Sequence, residues 1–200
     1  MNALALRPAS TADARRLAAL HAERITEGFL PTLGSAFLER LYRRILLSEG
    51  GAAVVAEDAS DHVVGFAAGT DDVAALYKRF LLRDGLVAAL RSGPRLARSL
   101  PRVVETLRYP AAAESLPDAE ILAVAVGAGA TGQGLGTRLV LTLCRDLRER
   151  GVPAVKVVAA VENDAARRCY VAAGFSQHTV LRVHAGRESI AYVRDLTEGM

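Results

Sequence analysis

The chain has 200 residues, of which 51% are hydrophobic and 24% are charged, and its formal net charge is +3. This length and composition are typical of a globular protein with one core, so we expect residues 1–200 to form a single domain. The amino terminus lacks the pattern of a secretory signal, and the longest uncharged span, 121–137, is too rich in glycine for a membrane helix. We therefore expect a cytoplasmic protein without a membrane span.

The cysteines and histidines do not form the spacings of a disulfide framework or of a metal site. Cys144 and Cys169 are far apart and both fall in segments with helical spacing, so we interpret them as reduced, packed thiols. The four histidines are scattered along the chain. The sequence therefore predicts no metal.

The first 70 residues alternate between strand and helix patterns. Ser10 and Asp13 have the spacing of a capping arrangement that opens a helix, and the polar turn 58–61 separates two apolar runs, as in a β-hairpin. The predicted elements are a strand at Leu4–Arg7, a helix that runs to about Glu27, a helix at Ser35–Leu47, and strands at Ala52–Glu57 and His62–Thr70.

Residues 73–113 form a basic segment. They hold eight lysines and arginines against Asp84 and Glu105, which gives +6 there and leaves −3 for the rest of the chain. The apolar spacing is helical, and prolines at 94 and 101 divide it, so we predict a helical insert. Such a patch can attract an anionic substrate, a nucleic acid or a membrane surface, but most charge runs are the solvated face of a helix.

The most informative stretch is an apolar strand followed by a glycine cluster and an amphipathic helix. Ile121–Val126 is short and rich in β-branched residues, and the helix pattern carries an apolar stripe that includes Leu139 and Leu143. The five glycines between residues 127 and 136 permit positive φ and close backbone approach, so several amides can converge at a helix N-terminus. The pattern predicts a site for a phosphorylated ligand.

The remaining segments predict one more helix between strands. The helix is bracketed by Asn163 as N-cap and Gly174 as terminator. The predicted elements are a strand at Ala154–Ala160, a helix at Asp164–Ala173, and a closing pair of strands at Phe175–His184 and Glu188–Leu196.

Two common phosphate sites fit the glycine cluster poorly. Residues 127–132 match the dinucleotide fingerprint GxGxxG, but no acidic residue closes the next strand and too few residues follow for the further βα units. That fold would also place Gly134 and Gly136 inside a helix, where each would destabilise the helix by about 1 kcal/mol relative to alanine. A nucleoside triphosphate P-loop is excluded because no lysine occupies the required GK[ST] position.

Two separate motifs resemble the GNAT superfamily of N-acetyltransferases. The signature loop [R/Q]xxGx[G/A] is similar to Thr131 to Gly136, and the second signature is matched by Asn163, Ala166, Tyr170 and Gly174-Phe175. Threonine stands at 131 instead of arginine or glutamine. The resemblance covers about residues 50 to 195 and implies an α/β (α+β) fold in which a mixed, mostly antiparallel sheet is flanked by helices. It also implies acetyl-CoA as co-substrate, held where strands 121–126 and 154–160 diverge.

The resemblance assigns roles to residues of both motifs. The backbone of the strand end pairs with the pantetheine arm, the Val126 amide points at the thioester carbonyl, and Tyr170 protonates the departing thiolate. Glu120 is the implied base, with Glu114, Asp118 or a water chain as alternatives. The implied cofactor residues are Val124, Ala125, Val126, Thr131, Gly132, Gln133, Gly134, Leu135, Gly136, Thr137, Asn163, Ala166 and Tyr170.

Together these features predict direct acetyl transfer to a primary amine in a ternary complex. The basic insert favours a small anionic acceptor, such as an amino sugar phosphate, and the protein is expected to be a monomer or a homodimer. A non-catalytic acyl-CoA-binding module and a nucleic-acid-binding protein are alternatives. The second is disfavoured because the insert has few aromatic residues for base stacking.

The cofactor prediction has a direct test in thermal unfolding. A ligand at 100 times its dissociation constant adds about 2.7 kcal/mol to the free energy of unfolding. We expect acetyl-CoA to raise the melting temperature and NAD to leave it unchanged. A shift with NAD alone, or with neither ligand, would contradict the interpretation of the glycine loop.

Overall fold

The computed structural model describes residues 4–26, 34–80, 82–83, 116–183 and 187–197. In these ranges one seven-stranded sheet is flanked by α-helices on both faces. The strands are β1 (Ala5–Pro8), β2 (Gly51–Glu57), β3 (Val63–Thr70), β4 (Glu120–Val126), β5 (Ala154–Ala160), β6 (Ser176–Val183) and β7 (Arg187–Asp195). The helices are α1 (Ala14–Arg24), α2 (Ser35–Leu47), α3 (Val73–Phe80), α4 (Leu135–Glu149) and α5 (Asp164–Ala172).

The sheet has the order β1-β2-β3-β4-β5-β7-β6. Every neighbouring pair is antiparallel except β4 and β5, which run parallel. The mixed, mostly antiparallel sheet and the hairpin of β2 and β3 are therefore confirmed. None of the helices in the described ranges is long and apolar enough to span a membrane.

Each face of the sheet buries its own hydrophobic core. On one face, α4 presents the predicted apolar stripe, and Leu139, Leu143 and Leu147 are fully buried against β2 to β5. On the other face, α1 and α2 pack on β2 to β4, with Leu17 and Phe66 fully buried. The two layers hold the central strands from both sides, which makes β4 a rigid base for a site.

Several predicted boundaries differ from the structure. The first helix ends at Arg24 and not near Glu27, which lies outside the described residues, and it begins after a 3₁₀ turn at Thr11–Asp13. Arg7 accounts for this start, because its guanidinium bonds both Asp13, at 2.8 Å, and Glu57, at 2.6 Å, and so ties the turn to β1 and β2. Smaller shifts place the strand starts at Val63, Ser176 and Arg187 and the last strand end at Asp195.

The basic segment is helical where the structure describes it. Helix α3 occupies its first eight residues and buries Leu76 and Phe80 against the α2 side of the sheet. Apart from residues 82–83, the rest of the predicted insert lies outside the described ranges. Its helical form therefore stays a prediction.

A buried histidine links α1 to α2. His21 is 3% exposed and its Nδ1 lies 2.6 Å from the Tyr42 hydroxyl. Its Nε2 is buried without a hydrogen-bond partner in the described structure. Burial lowers the pKa of His21 from 6.5 to about 4, so the imidazole is neutral at neutral pH.

This histidine makes the free energy of unfolding depend on pH. The unfolded chain binds this proton at a higher pH than the folded one. The contribution of His21 to the free energy of unfolding is therefore fully present above about pH 6.5 and falls as the pH drops toward 4, by about 2 kcal/mol at pH 5. We expect His21→Gln to remove this loss in denaturant unfolding at pH 7 and pH 5. His62→Gln is the control, since that side chain is 78% exposed. If the free energy of unfolding of the His21 variant falls between pH 7 and pH 5 as much as that of wild type, this account is wrong.

Candidate active site

The site begins where β4 and β5 separate. Their parallel pairing consists of Glu120 opposite Lys156 and Ile121 opposite Val157. On the other side of β4 the register with β3 shifts at Leu122, which is an extra residue. Such a bulge bends a strand and increases its twist. The last residues of β4 therefore diverge from β5, and the predicted opening between these strands is confirmed.

The glycine loop leads from the end of β4 into α4. Gly132 has φ of +74° and Gly134 has φ of +70°, a region that side chains other than glycine rarely adopt. Gly134 is also the N-cap of α4. The unpaired amides of the first helical turn thus face the end of the opening, an arrangement that favours an anion.

The two sequence motifs meet at the start of α4. A Cβ atom added to Gly136 would lie 3.3 Å from the Cys169 Sγ atom of α5, so that sulfur would have to move by a few tenths of an ångström to accept a larger residue. The Thr137 hydroxyl lies 3.7 Å from the same sulfur. The loop and α5 therefore form adjoining walls of one cleft.

Helix α5 carries the predicted side chains on its inner face. The Asn163 side-chain oxygen accepts a hydrogen bond of 3.0 Å from the Ala166 amide, which confirms it as the N-cap. Tyr170 is 7% exposed, and its ring lies 6.0 Å from that of Phe175 and 6.2 Å from that of Tyr192. Burial raises the pKa of Tyr170, so the phenol stays protonated at neutral pH.

The resulting cleft has a volume of about 530 Å³. Of the predicted cofactor residues only Gln133, which is exposed, is not in its lining. The predicted residues that line it are Val124, Ala125, Val126, Thr131, Gly132, Gly134, Leu135, Gly136, Thr137, Asn163, Ala166 and Tyr170. Sequence reasoning did not include the further lining residues Arg24, Ile25, Thr26, Ala130, Ala165, Arg168 and Cys169.

Four of the residues missed illustrate two different reasons. Arg24 is the last residue of α1, and Ile25 and Thr26 follow it; all three lie more than a hundred residues before the motifs, and no local pattern marks them. Arg168 is different, because it lies between Asn163 and Tyr170 on the same predicted helix. Its basic side chain beside a phosphate-binding motif was a signal that could have been used.

Thr131 holds the loop in shape. Its hydroxyl donates a hydrogen bond of 2.9 Å to the Ala128 carbonyl. The hydroxyl of Thr131, which replaces the arginine or glutamine of the superfamily motif, is thus already hydrogen-bonded within the loop. Backbone amides remain the principal donors there.

Glu120 lies at the closed end of the opening and is not in the lining of the cleft. Its carboxylate is 3.6 Å from the ammonium group of Lys156, which is 2% exposed. Burial raises the pKa of Glu120, and the positive charge of Lys156 opposes that rise.

A larger cavity of about 870 Å³ lies at the opposite end of the central strands, where β4 and β5 begin. It is lined by loop residues such as Asp71, Asp118 and Arg150, and it includes neither the glycine loop nor the diverging end of β4. The smaller cleft is the candidate site because, of these two cavities in the described ranges, it is the one that joins the amides at the start of α4 to a buried phenol.

The comparisons with known proteins agree with this geometry. Residues 22–175 match the model of the Acetyltransferase (GNAT) family, which is more than half of the chain. The chain therefore belongs to the GNAT family of acetyltransferases. As a member, it is an acetyl-CoA-dependent N-acetyltransferase. A comparison with curated proteins finds no significant sequence match.

Solved structures share the fold over nearly the whole chain. A GNAT-family protein from Desulfovibrio desulfuricans is 20% identical with a TM-score of 0.63, and the match covers 97% of this chain and 99% of that one. NAA60 from Arabidopsis thaliana, in complex with acetyl-CoA, is 14% identical with a TM-score of 0.64 and coverage of 98% and 100%. The ribosomal-protein-S18-alanine N-acetyltransferase from Escherichia coli is 16% identical, with a TM-score of 0.60 and coverage of 99% and 97%.

Proposed function

We propose that this enzyme transfers the acetyl group of acetyl-CoA directly to a primary amine of a small anionic molecule, with both substrates bound at once. The observation that carries the proposal is the continuous cleft that joins the end of β4, the glycine loop and Tyr170. Acetyl-CoA supplies a thioester whose C–S bond breaks as the C–N bond forms. The residues of the cleft bind it, orient it and move the protons.

The end of β4 is suited to hold the pantetheine arm. Its pairing with β5 stops at Ile121, so the backbone of Val124 to Val126 pairs with β3 on one side and lies beside an opening on the β5 side. An extended amide-containing chain can add to such an edge by main-chain hydrogen bonds. The pyrophosphate would then lie at the glycine loop, where the amides that begin α4 are available.

The transfer step needs a stabilised oxyanion and a proton for the leaving thiolate. The Val126 amide is the proposed donor to the carbonyl oxygen of the thioester. Tyr170 is the proposed acid, and two observations support it. Its hydroxyl makes no hydrogen bond with the described residues, and burial keeps it protonated.

Glu120 is the proposed base that removes the proton from the amine. A strand rises about 3.3 Å per residue, so Glu120 lies roughly 20 Å along β4 from Val126, the residue assigned to the thioester carbonyl. We therefore expect water to carry the proton between the amine and the carboxylate. Burial raises the pKa of Glu120 and the Lys156 ammonium lowers it, and a base works best when its pKa lies near the working pH.

The charge of the cleft supports an anionic acceptor. Among the described lining residues, the charged side chains are Arg24 and Arg168, and no carboxylate is present. Arg168 lies on α5 with the cofactor motif, whereas Arg24 ends α1 on the opposite face of the sheet. We assign Arg168 to the phosphates of coenzyme A and Arg24 to the acceptor.

The acid role predicts a specific effect of Tyr170→Phe. Because a positioned acid contributes about 10²- to 10⁴-fold, kcat should fall by about 100-fold or more while the Kd for acetyl-CoA changes little. The matched control is Tyr192→Phe, a nearby buried tyrosine whose hydroxyl accepts a bond from Arg167. Steady-state rates and calorimetric binding decide this. An unchanged kcat in the Tyr170 variant would remove it from the acid role.

The acceptor proposal predicts a preference for phosphate on an otherwise identical amine. We expect glucosamine 6-phosphate to have a higher kcat/KM than glucosamine and than a peptide with an amino-terminal alanine. Arg24→Ala should lower the ratio of kcat/KM for glucosamine 6-phosphate to kcat/KM for glucosamine about tenfold, since a bond to a charged group contributes about 1.5 kcal/mol or more. Arg15→Ala, on the exposed side of α1, is the control. Equal rates for the two sugars would contradict an anionic acceptor.

A further inference from the structure

A buried ion pair closes the root of the opening between β4 and β5. Glu120 and Lys156 face each other in the first of the two paired positions, immediately before the strands part. The Lys156 ammonium lies 3.6 Å from a carboxylate oxygen of Glu120, and the two side chains are 3% and 14% exposed. The pair is therefore almost completely removed from water.

Stability alone does not account for this pair. Burying an ammonium and a carboxylate costs several kcal/mol for each ion, and a well-packed apolar pair is often equally stable or more stable. Ala154 and Val158, which share a face of β5 with Lys156, are half-buried apolar residues. An apolar residue at position 156 would therefore fit the strand at least as well.

Lys156 also fixes the backbone that leads into β4. Its ammonium group donates to the Pro117 carbonyl, and its main-chain amide donates to the Ala119 carbonyl at 3.0 Å. The segment just before Glu120 is thus held to β5 by two hydrogen bonds from one residue. One residue anchors both the carboxylate and the backbone that carries it.

The described ionisable groups around Glu120 come from two elements. Lys156 lies on β5, and Tyr77 lies on α3, where burial and the negative charge of Glu120 raise its pKa. For Glu120 itself, burial favours the neutral acid and Lys156 favours the carboxylate. Without Lys156, burial would remain and would favour the neutral acid.

We propose that Lys156 is a positioning residue for acetyl transfer, which fixes Glu120 at the root of the opening and keeps its carboxylate ionised so that it can accept the proton of the amine. This inference rests on the proposed role of Glu120 as the base. Lys156 does not touch either substrate and acts through the carboxylate.

The test compares wild type with Lys156→Met in two measurements. The first follows the Glu120 carboxyl by carbon-13 NMR during a pH titration, with Glu120→Gln to identify its resonance. This requires no acceptor. The second is the pH profile of kcat/KM with acetyl-CoA and glucosamine 6-phosphate, or the best of the three amines above. If Lys156→Met does not fold, Lys156→Gln replaces it, because its amide can still donate to the Pro117 carbonyl.

We expect the Glu120 titration in the variant to move to higher pH. The value of kcat/KM should fall at least tenfold at pH 6 and recover toward wild type at pH 8.5, because an opposite charge this close favours the ionised carboxylate. The Kd for acetyl-CoA should stay unchanged. Loss of a merely structural contact would lower the rate equally at all pH values.

The outcomes separate this inference from the function on which it rests. A Glu120 titration that does not move in the variant, or a rate that falls equally at every pH, overturns the role of Lys156. A Glu120→Gln enzyme with the wild-type kcat/KM overturns the base itself and, with it, the inference. If Glu120→Gln is slow and the Lys156 variant shows both shifts, both proposals stand.

Discussion

The short parallel pairing of β4 with β5 is the constraint on which the site depends. A strand inside a sheet normally satisfies its amides and carbonyls through both neighbours. Here the extra residue Leu122 bends β4 after the pairing with β5 has reached Ile121, and an edge opens inside an otherwise continuous sheet. Two hydrophobic layers hold the strands in place, so the opening is a fixed feature of the fold. The glycine loop and α5 then form walls around an existing gap.

Much of this arrangement was predictable because it is local. The glycine loop, the apolar stripe of α4 and the Asn163 cap each depend on residues close together in sequence, and each was confirmed. The bulge at Leu122 was not predictable, since it depends on the register with β3. The same holds for Arg24, which reaches the cleft through the packing of α1 on the sheet. Helix ends also depend on distant partners, as the contacts of Arg7 show at the start of α1.

The electrostatic character of the site follows from burial more than from net charge. Tyr170 and Glu120 both have raised pKa values because their charged forms are poorly solvated. For the phenol this preserves the proton that an acid must give. For the carboxylate, the proposed base, burial favours the neutral acid and the Lys156 ammonium opposes it. On the proposed roles, one cation at the root of the opening thus allows a protonated phenol and an ionised carboxylate in one site.

The measurement that tests this account most directly is a crystal structure of the protein with bound acetyl-CoA. We predict that the pantetheine arm lies between β4 and β5 and bonds to the backbone of Val124 and Val126. The pyrophosphate should lie on the amides at Gly134 to Gly136, and the sulfur should lie within hydrogen-bonding distance of the Tyr170 hydroxyl. Density for acetyl-CoA in the larger cavity, or a cofactor that leaves the opening empty, would contradict the central claim.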